Sequence, residues 1–161
     1  MSDPIVLHDA LKTVNLRPLF SLELTVSGAH TFGEGGIKQV VGLVSGGRFA
    51  GDRLSGKVLP GGNDWQTVLA DGTLLLDAKL PLQTDDGANI ILSFRGVRSV
   101  APEVQARMNA GEVVDPSEYY FRIAPQFYTT APGLEWLNRI VAVGAGQRLA
   151  TGPVYNILAV E

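Results

Sequence analysis

A carboxyl group beside an indole is the feature of this sequence best suited to proton transfer. Asp64 follows a glycine pair, Gly61-Gly62, and is followed at once by Trp65. A carboxylic acid packed against an indole loses hydration, which raises its pKa and lets it donate a proton near neutral pH. The alternative is an Asx-type turn, in which Asp64 accepts backbone N–H groups and Trp65 simply packs. Both interpretations stay open from the sequence, and we take Asp64 as the candidate general acid.

Asp77 is the second candidate because it lies in a segment of strict alternation. Every second residue between Thr73 and Thr84 is apolar, while Asp77 and Lys79 fall on the other face. If that polar face lines a wet cavity, Asp77 can act as a base or tune the pKa of Asp64. If it faces solvent, Asp77 and Lys79 are ordinary surface charges. The apolar face is Leu74, Leu76, Ala78, Leu80 and Leu82.

Tyr120, Arg122 and Tyr128 share one face of a later alternating segment. A guanidinium can bind a carboxylate or phenolate through two parallel hydrogen bonds, and a phenol can donate to a carbonyl, so the set matches a planar, oxygenated ligand. The alternative is a buried ion pair between Arg122 and Asp64 or Asp77 that holds the fold together.

Three further residues complete the predicted substrate-binding set, each with a plainer alternative. Trp65 and Trp136 offer flat apolar surfaces for an aromatic compound, although an indole more often belongs to the core. Asn138 follows a short turn near Trp136, where an amide more often ties the backbone than binds a ligand.

Composition and charge exclude several function classes. The chain has 161 residues, 45% of them hydrophobic, which suits one folded domain rather than a disordered chain. Its formal charge of −3 provides no basic stripe for phosphates, so we expect no nucleic-acid partner. No apolar run approaches the roughly 20 residues of a membrane span, and the N-terminus lacks the pattern of a signal peptide. We therefore expect a cytoplasmic protein without a membrane partner.

Cofactor and metal chemistry also lack suitable residues. There are no cysteines, which excludes disulfides, thiolate nucleophiles and Cys-ligated metals. His8 and His30 are the only imidazoles, and neither has Asp or Glu at metal-ligand spacing. We expect no cofactor and no metal, so carboxylates, arginines and hydroxyls must perform any reaction.

The elements that must position these residues are strands. Alternating segments follow one another with short connections, and 19 glycines and 9 prolines supply the turns. This predicts an all-β fold: an antiparallel closed β-barrel of about nine or ten strands with one short helix. An open two-sheet sandwich is the rival, and closure is favoured because the strands are long. We assign residues 1–17 to an N-terminal arm and residues 18–161 to a single barrel domain.

Local signals mark the helix and the turns. Pro102 at a start and Gly111 as a stop predict a short helix within 101–111. Asp71-Gly72 and Asp86-Gly87 are typical of hairpin turns, since glycine takes positive φ without penalty. The glycine-rich stretch Gly28–Gly36 is predicted as a loop, and Gly46-Gly47 as a turn between two strands.

An ordered set of short motifs resembles the domain-of-unknown-function 3237 (DUF3237) family. The likeness covers roughly Pro18 to the C-terminus, and it lies in the order of the set, because each motif alone is weak. It implies a closed barrel with a cavity, and some relatives are associated with cofactor-free cyclisation of aromatic natural products. The motifs begin with Gly46-Gly47, Gly51-Asp52-Arg53-Leu54-Ser55-Gly56, Pro60-Gly61-Gly62-Asn63-Asp64-Trp65 and Leu76-Asp77-Ala78, and continue with Thr84-Asp85-Asp86-Gly87, Tyr119-Tyr120-Phe121-Arg122 and Trp136-Leu137-Asn138-Arg139.

Two functions from different classes fit these observations. The first is a cofactor-independent acid/base enzyme, a cyclase, isomerase or hydratase, acting on a small aromatic or unsaturated oxygenated compound in a barrel cavity. The second is a lipocalin-like binding protein that sequesters a hydrophobic small molecule without changing it. A structural protein would instead need a filled barrel and a large apolar outer patch. Barrel edges and the N-terminal arm are compatible with a homodimer.

Overall fold

The chain folds into an antiparallel β-barrel with a single α-helix. The computed structural model describes residues 1–161. None of its helices has the length and apolar character needed to cross a bilayer. The strands are β1 (Leu16–Phe32), β2 (Lys38–Ala50), β3 (Ser55–Val58), β4 (Gly62–Val68), β5 (Leu74–Thr84), β6 (Asn89–Ser99), β7 (Tyr120–Tyr128), β8 (Val141–Arg148) and β9 (Pro153–Val160), and the helix α1 (Pro102–Asn109) lies between β6 and β7.

The sheet closes on itself, which confirms the predicted barrel. The strands follow the order β1-β9-β8-β7-β6-β5, and β1 pairs with β2 to complete the ring. Two short strands, β3 and β4, lie end to end in the single strand position between β2 and β5. β4 pairs with residues 38–44 of β2, and β3 pairs with residues 48–50. The wall therefore has eight strand positions occupied by nine strands.

Pro81 lies at the point along β5 where the neighbouring strand changes from β4 to β3. β5 pairs with β4 up to Lys79 and with β3 from Leu82 onward. The carbonyl of Pro81 accepts the Leu59 N–H at 2.8 Å, so the position of its missing N–H faces this same junction. A proline is tolerated in the middle of β5 because no ladder hydrogen bond is required of it there.

The predicted alternation of β5 describes the barrel interior. Leu76, Ala78, Leu80 and Leu82 are all buried and belong to one continuous core of 25 residues. Asp71-Gly72 and Asp86-Gly87 form the turns at either end of the strand, with positive φ at Gly72 (85°) and Gly87 (91°). The period-two pattern thus reports correctly which residues of β5 point inward.

The two ends of the barrel are covered differently. At the end where β7 finishes, a 3-10 turn of residues 135–139 inserts Leu137, which is 1% exposed, into the core. At the other end, called the α1 end below, Val104 of α1 and Val114 of the following loop are buried against the core. The first end is filled by apolar side chains, and the polar interior described below lies toward the α1 end.

Two predictions made from glycine-rich segments are wrong. The predicted loop Gly28–Gly36 is mostly strand, because β1 continues to Phe32 and β2 begins at Lys38. The predicted turn at Gly46-Gly47 lies inside β2, opposite a shift in the β1–β2 register. Gly47 has φ +141°, and a Cβ there would lie 2.0 Å from the Glu23 carbonyl oxygen. These glycines allow a bulge and a close backbone approach, which is a second use of glycine in strands.

Candidate functional site

A pocket of about 200 Å³ lies inside the barrel toward the α1 end. It contains one carboxylate, two guanidiniums, one amide and one phenol, and no histidine. Nowhere in the chain do three His, Cys, Asp or Glu side chains gather as a metal site would require. The polar residues are Asp64, Gln66, Arg98, Arg148 and Tyr155, and the other lining residues are Leu24, Val26, Ala29, Val40, Gly42, Val44, Leu76, Phe121 and Pro153.

Strand alternation places Asp64 in this interior pocket. Asp64 pairs with Gly42 of β2 on one side and with buried Ala78 of β5 on the other. Its neighbour Trp65 therefore points outward, where it is 47% exposed. Because Gly42 and Ala78 have almost no side chain, the Asp64 carboxyl has room to reach the pocket.

The surroundings of Asp64 favour its neutral form. Burial raises the pKa of Asp64, and the charge of Asp77 adds a smaller effect in the same direction. Hydrogen bonds from Gln66 Nε2 (3.0 Å) and the Asp77 backbone N–H (3.2 Å) oppose the rise, as does the charge of Arg98. No Lys or Arg lies within ion-pair distance of the carboxylate. Asp64 thus holds its proton to a higher pH than an exposed aspartate.

Arg98 reaches the pocket from β6, and no hydrogen bond or ion pair within the protein holds its guanidinium. Its Nε is buried and donates to no acceptor. Its guanidinium lies over the ring of Phe121, 5.9 Å from the ring centre. Burial lowers the pKa of Arg98, and the nearby positive charge of Arg148 lowers it further. Folding therefore disfavours the charged form of this side chain, which nevertheless remains a cation at neutral pH.

Tyr155 and Arg148 complete the polar wall. Tyr155 is 1% exposed and packs edge-on against Phe121, with ring centres 5.2 Å apart. Burial raises the pKa of its hydroxyl, which keeps the group a hydrogen-bond donor. Arg148 donates a guanidinium hydrogen bond to the Leu149 carbonyl, and its backbone N–H donates to the hydroxyl of Tyr119 at 2.9 Å.

Four of the predicted site residues lie together, but outside the barrel. Trp65, Asp77, Tyr120 and Arg122 line a groove of about 960 Å³ on the outer face of β4–β7, which we call the outer groove. The Asp77 carboxylate is 66% exposed and lies 4.0 Å from Arg95. The outer groove is the larger concavity of the two, but the desolvated carboxyl group lies in the interior pocket.

The barrel wall separates Asp64 from Asp77, so of the two roles considered for Asp77 only the tuning of the Asp64 pKa fits this geometry. The two side chains lie on opposite faces of the sheet, so Asp77 cannot act as a base on a compound bound beside Asp64. Its charge and its backbone N–H still act on Asp64 through the wall. Trp65 stacks on Phe32, with ring centres 6.5 Å apart, and does not cover the carboxyl. The barrel interior, and not the indole, desolvates Asp64.

The predicted ligand anchor separates into two places. Arg122 lies over the ring of Tyr120 at 5.4 Å and donates to the Phe121 carbonyl at 2.9 Å, and it forms no ion pair with Asp64 or Asp77. Tyr128 is 61% exposed at the other end of β7 and shares no cavity with them.

Trp136 and Asn138 lie at the end of the barrel away from the pocket. The indole of Trp136 is half-buried beneath Arg53, whose guanidinium lies 3.9 Å from the ring centre. Asn138 accepts the Thr129 N–H (2.9 Å) and donates to the Thr129 carbonyl (2.8 Å). Asn138 thus fits its structural alternative of tying a turn, and Trp136, which packs partly buried against the core, fits the alternative of a core indole.

Sequence reasoning missed Gln66, Arg98, Arg148 and Tyr155. A signal for Arg98 was present, because it continues the alternation of three buried residues of β6 and is therefore directed inward. Tyr155 likewise shares its face with two buried residues of β9. A polar residue at the end of a buried face indicates a polar pocket at the end of a barrel. The buried residues that precede Arg98 are Ile90, Leu92 and Phe94, and those that follow Tyr155 are Ile157 and Ala159.

Comparison with known proteins places this barrel in a family. A family model described as "Protein of unknown function (DUF3237)" matches residues 14–160. A UPF0311 protein of Clostridium acetobutylicum is 37% identical over 142 residues, which is 86% of this chain and 89% of that protein. The crystal structure of a conserved protein of unknown function from Rhodopseudomonas palustris superposes with a TM-score of 0.85 at 31% identity, covering 92% of this chain and 98% of that chain.

One relative has a name that states an activity. The hydroalkoxylation enzyme phnH of Penicillium herquei is 30% identical over 136 residues, which is 84% of this chain and 76% of that protein. This chain is thus similar to a protein named as an enzyme as well as to relatives named only by family.

Proposed function

This chain belongs to the DUF3237 family, and we propose that it is a cofactor-independent acid/base enzyme acting on a small aromatic compound in the interior pocket. The reaction we propose is the addition of a hydroxyl group across a carbon–carbon double bond of the same molecule. The observation that carries the proposal is the Asp64 carboxyl, desolvated inside a mostly apolar pocket. The relative named a hydroalkoxylation enzyme supports the choice of reaction.

One carboxyl group is sufficient for this chemistry. Protonated Asp64 gives its proton to one alkene carbon, and the hydroxyl oxygen forms a bond to the other. The Asp64 carboxylate then takes the proton that the hydroxyl loses, so acid and base are the same group at different stages. The product is an isomer of the substrate, and no electrons enter or leave. This cycle requires no second carboxylate in the pocket, consistent with the outward position of Asp77.

The pocket suits a compound of one or two rings. Its volume of about 200 Å³ is below the roughly 300–1,000 Å³ typical of drug-sized ligand sites. The Tyr155 hydroxyl and the Gln66 amide offer hydrogen bonds that can orient an oxygenated ring. Water has little room beside such a compound, which protects the cationic carbon from hydration.

The direct test is turnover of alkenyl phenols, beginning with 2-allylphenol, in D₂O. We expect a cyclic ether that carries one deuterium on carbon, identified by mass spectrometry and NMR. Positioned proton transfer contributes about 10²–10⁴ in rate, so Asp64→Asn should lose about that factor. The matched control is Asp77→Asn, on the outer face of the adjacent strand, which should retain most of the activity. Unchanged turnover by Asp64→Asn would exclude Asp64 as the acid.

A binding protein without catalysis is the second candidate, because most of the pocket wall is apolar. A carrier would bind the same phenols, release them unchanged and show no dependence on Asp64. Recovery of undeuterated ligand after long incubation at saturating protein would favour the carrier over the enzyme.

A further inference from the structure

The interior pocket carries more positive than negative charge. We propose that it recognises an aromatic compound through an anionic oxygen, a carboxylate or an ionised phenol, held by Arg98 and Arg148. This inference rests on the interior pocket being the substrate site proposed above, and it names the class of compound that the site takes.

Arg98 is the strongest evidence, since this partly buried cation has a buried Nε with no acceptor and no ion-pair partner. Buried charges in proteins are normally paired and hydrogen-bonded, because an unpaired one loses its hydration without compensation. The structure contains six side-chain ion pairs, and Arg98 belongs to none of them. Its buried Nε lacks any acceptor. An anionic ligand would supply what the fold itself does not.

Arg148 adds a second cation to the same wall. It lines the pocket with Arg98, and the two charges act unfavourably on each other. Of the guanidinium nitrogens of Arg148, one donates to the Leu149 carbonyl, a neutral acceptor. Two positive charges that face one cavity attract an anion more strongly than either would alone.

No acidic group nearby forms an ion pair with either pocket arginine. Asp64 lies in the pocket outside ion-pair distance, and burial favours its neutral form. Tyr155 is kept protonated by burial. Glu112 lines a crevice beneath α1 together with both pocket arginines, but its carboxylate is bound by Arg107 at 2.6 Å. None of these groups therefore provides a hydrogen-bonded counter-ion for Arg98 or Arg148.

The walls select a flat ligand. The Phe121 ring lies beneath the Arg98 guanidinium and against Tyr155, so the cation lies beside aromatic surface. Leu24 and Leu76 add apolar wall. A guanidinium presents parallel N–H groups that match a carboxylate or phenolate oxygen in the plane of an aromatic ring. A free inorganic anion would leave this apolar surface unused.

In the proposed reaction, this anchoring has a chemical consequence. A phenol held as its phenolate by Arg98 is a stronger nucleophile than the neutral phenol. The phenolate oxygen bonds to one alkene carbon while the other carbon takes the proton from Asp64. Because such a phenol has already lost its proton on binding, solvent reprotonates the Asp64 carboxylate, in place of the direct transfer from a neutral hydroxyl described above. The proton that the phenol loses on binding balances the proton taken up afterwards.

The test uses 4-nitrophenol, whose ionised form absorbs at a longer wavelength than the neutral form. Folded wild-type protein, in a low-salt buffer free of phosphate and sulfate, should increase the phenolate band on binding at a pH where the free compound is partly ionised. Arg98→Gln should weaken binding by about tenfold to a hundredfold, the range for a charge-assisted hydrogen bond, and abolish the increase. Arg98→Lys should restore part of it. Arg122→Gln, in the outer groove, is the matched control and should bind like wild type.

Competition and a second variant complete the design. Benzoate should displace the nitrophenolate, whereas neutral benzamide should not. Arg148→Gln gives an independent reading if Arg98→Gln folds poorly by circular dichroism. Unchanged phenolate binding in a folded Arg98→Gln or Arg148→Gln protein, or equal displacement by benzamide, would overturn the proposal.

This test separates the two proposals. Asp64→Asn should retain the phenolate band even though it loses turnover, since it removes the acid and leaves both cations. If the wild-type protein turned over the alkenyl phenols but showed no preference for anionic ligands, only the proposed anion site would be contradicted. Anion binding together with Asp64-independent turnover would contradict only the acid role of Asp64.

Discussion

Replacing Arg98 by methionine should stabilise the ligand-free protein. The change keeps an unbranched side chain that extends as far as the Arg98 Nε, and it replaces the buried N–H that has no acceptor by an apolar group. It also removes the repulsion between Arg98 and Arg148. Because folding lowers the pKa of Arg98, the charged form costs stability at every pH below that pKa, and the substitution recovers this cost.

The size of the effect follows from the unsatisfied group. A buried donor without a partner costs about 1–3 kcal/mol, and replacing buried ionic groups by apolar residues is often neutral or stabilising by about 1–4 kcal/mol. Arg98 is only partly buried, so we expect a gain of about 1–2 kcal/mol in the free energy of unfolding. In a domain of this length each kcal/mol corresponds to about 2–4 °C in Tm.

Urea denaturation at pH 7, without phosphate or sulfate, measures this directly. The midpoint should rise in Arg98→Met at an unchanged slope, and Arg122→Met on the outer face should change the free energy of unfolding by less than about 0.5 kcal/mol. A midpoint lower than wild type at the same slope would show that Arg98 already has a stabilising partner. Arg98 would then not be a cation that lacks a stabilising partner in the ligand-free protein.

Three further substitutions test the local structure. Burial raises the pKa of Asp64 in the folded protein, so wild type should lose stability relative to Asp64→Asn as the pH rises above the unfolded-state pKa of about 3.9. The loss should be about 1.4 kcal/mol for each unit by which the folded pKa exceeds the unfolded one. Urea midpoints across a pH series measure it. The difference should stop growing above the folded pKa. Asp77→Asn should change stability by less than about 0.5 kcal/mol, since its contact with Arg95 is exposed, and should lower the pKa of Asp64 in an NMR titration. Asn138→Ala should cost about 1–2 kcal/mol by urea denaturation, because it breaks both hydrogen bonds to the Thr129 backbone.

The barrel itself was predictable because its evidence is local. Alternation from Leu74 to Leu82 requires only that one face be buried, and the glycines at 72 and 87 require only that the chain turn. Gly46-Gly47 carries the same composition as a turn, but a register shift against β1 makes it a bulge within β2. That shift depends on a partner strand about 20 residues away, which no local pattern reveals.

The site was only partly predictable, because a barrel has two kinds of polar surface. A polar side chain that alternates with apolar ones can face solvent, as Asp77 does, while one that lies on the apolar face enters the interior, as Arg98 does. The pocket also assembles residues from strands distant in sequence, from Asp64 on β4 to Tyr155 on β9. Their meeting depends on barrel closure. Asp64 was identified from its neighbour Trp65, although the structure gives a different cause for its desolvation.

A carboxyl-carbon NMR titration of the purified protein shows directly whether Asp64 is a desolvated proton donor. Asp64→Asn assigns the resonance. The Asp64 carboxyl should titrate above the ordinary aspartate value of about 3.9, because burial raises its pKa more than its two hydrogen bonds lower it. Titration at or below that value would show an ionised structural carboxylate at neutral pH and would contradict the proposed acid catalysis.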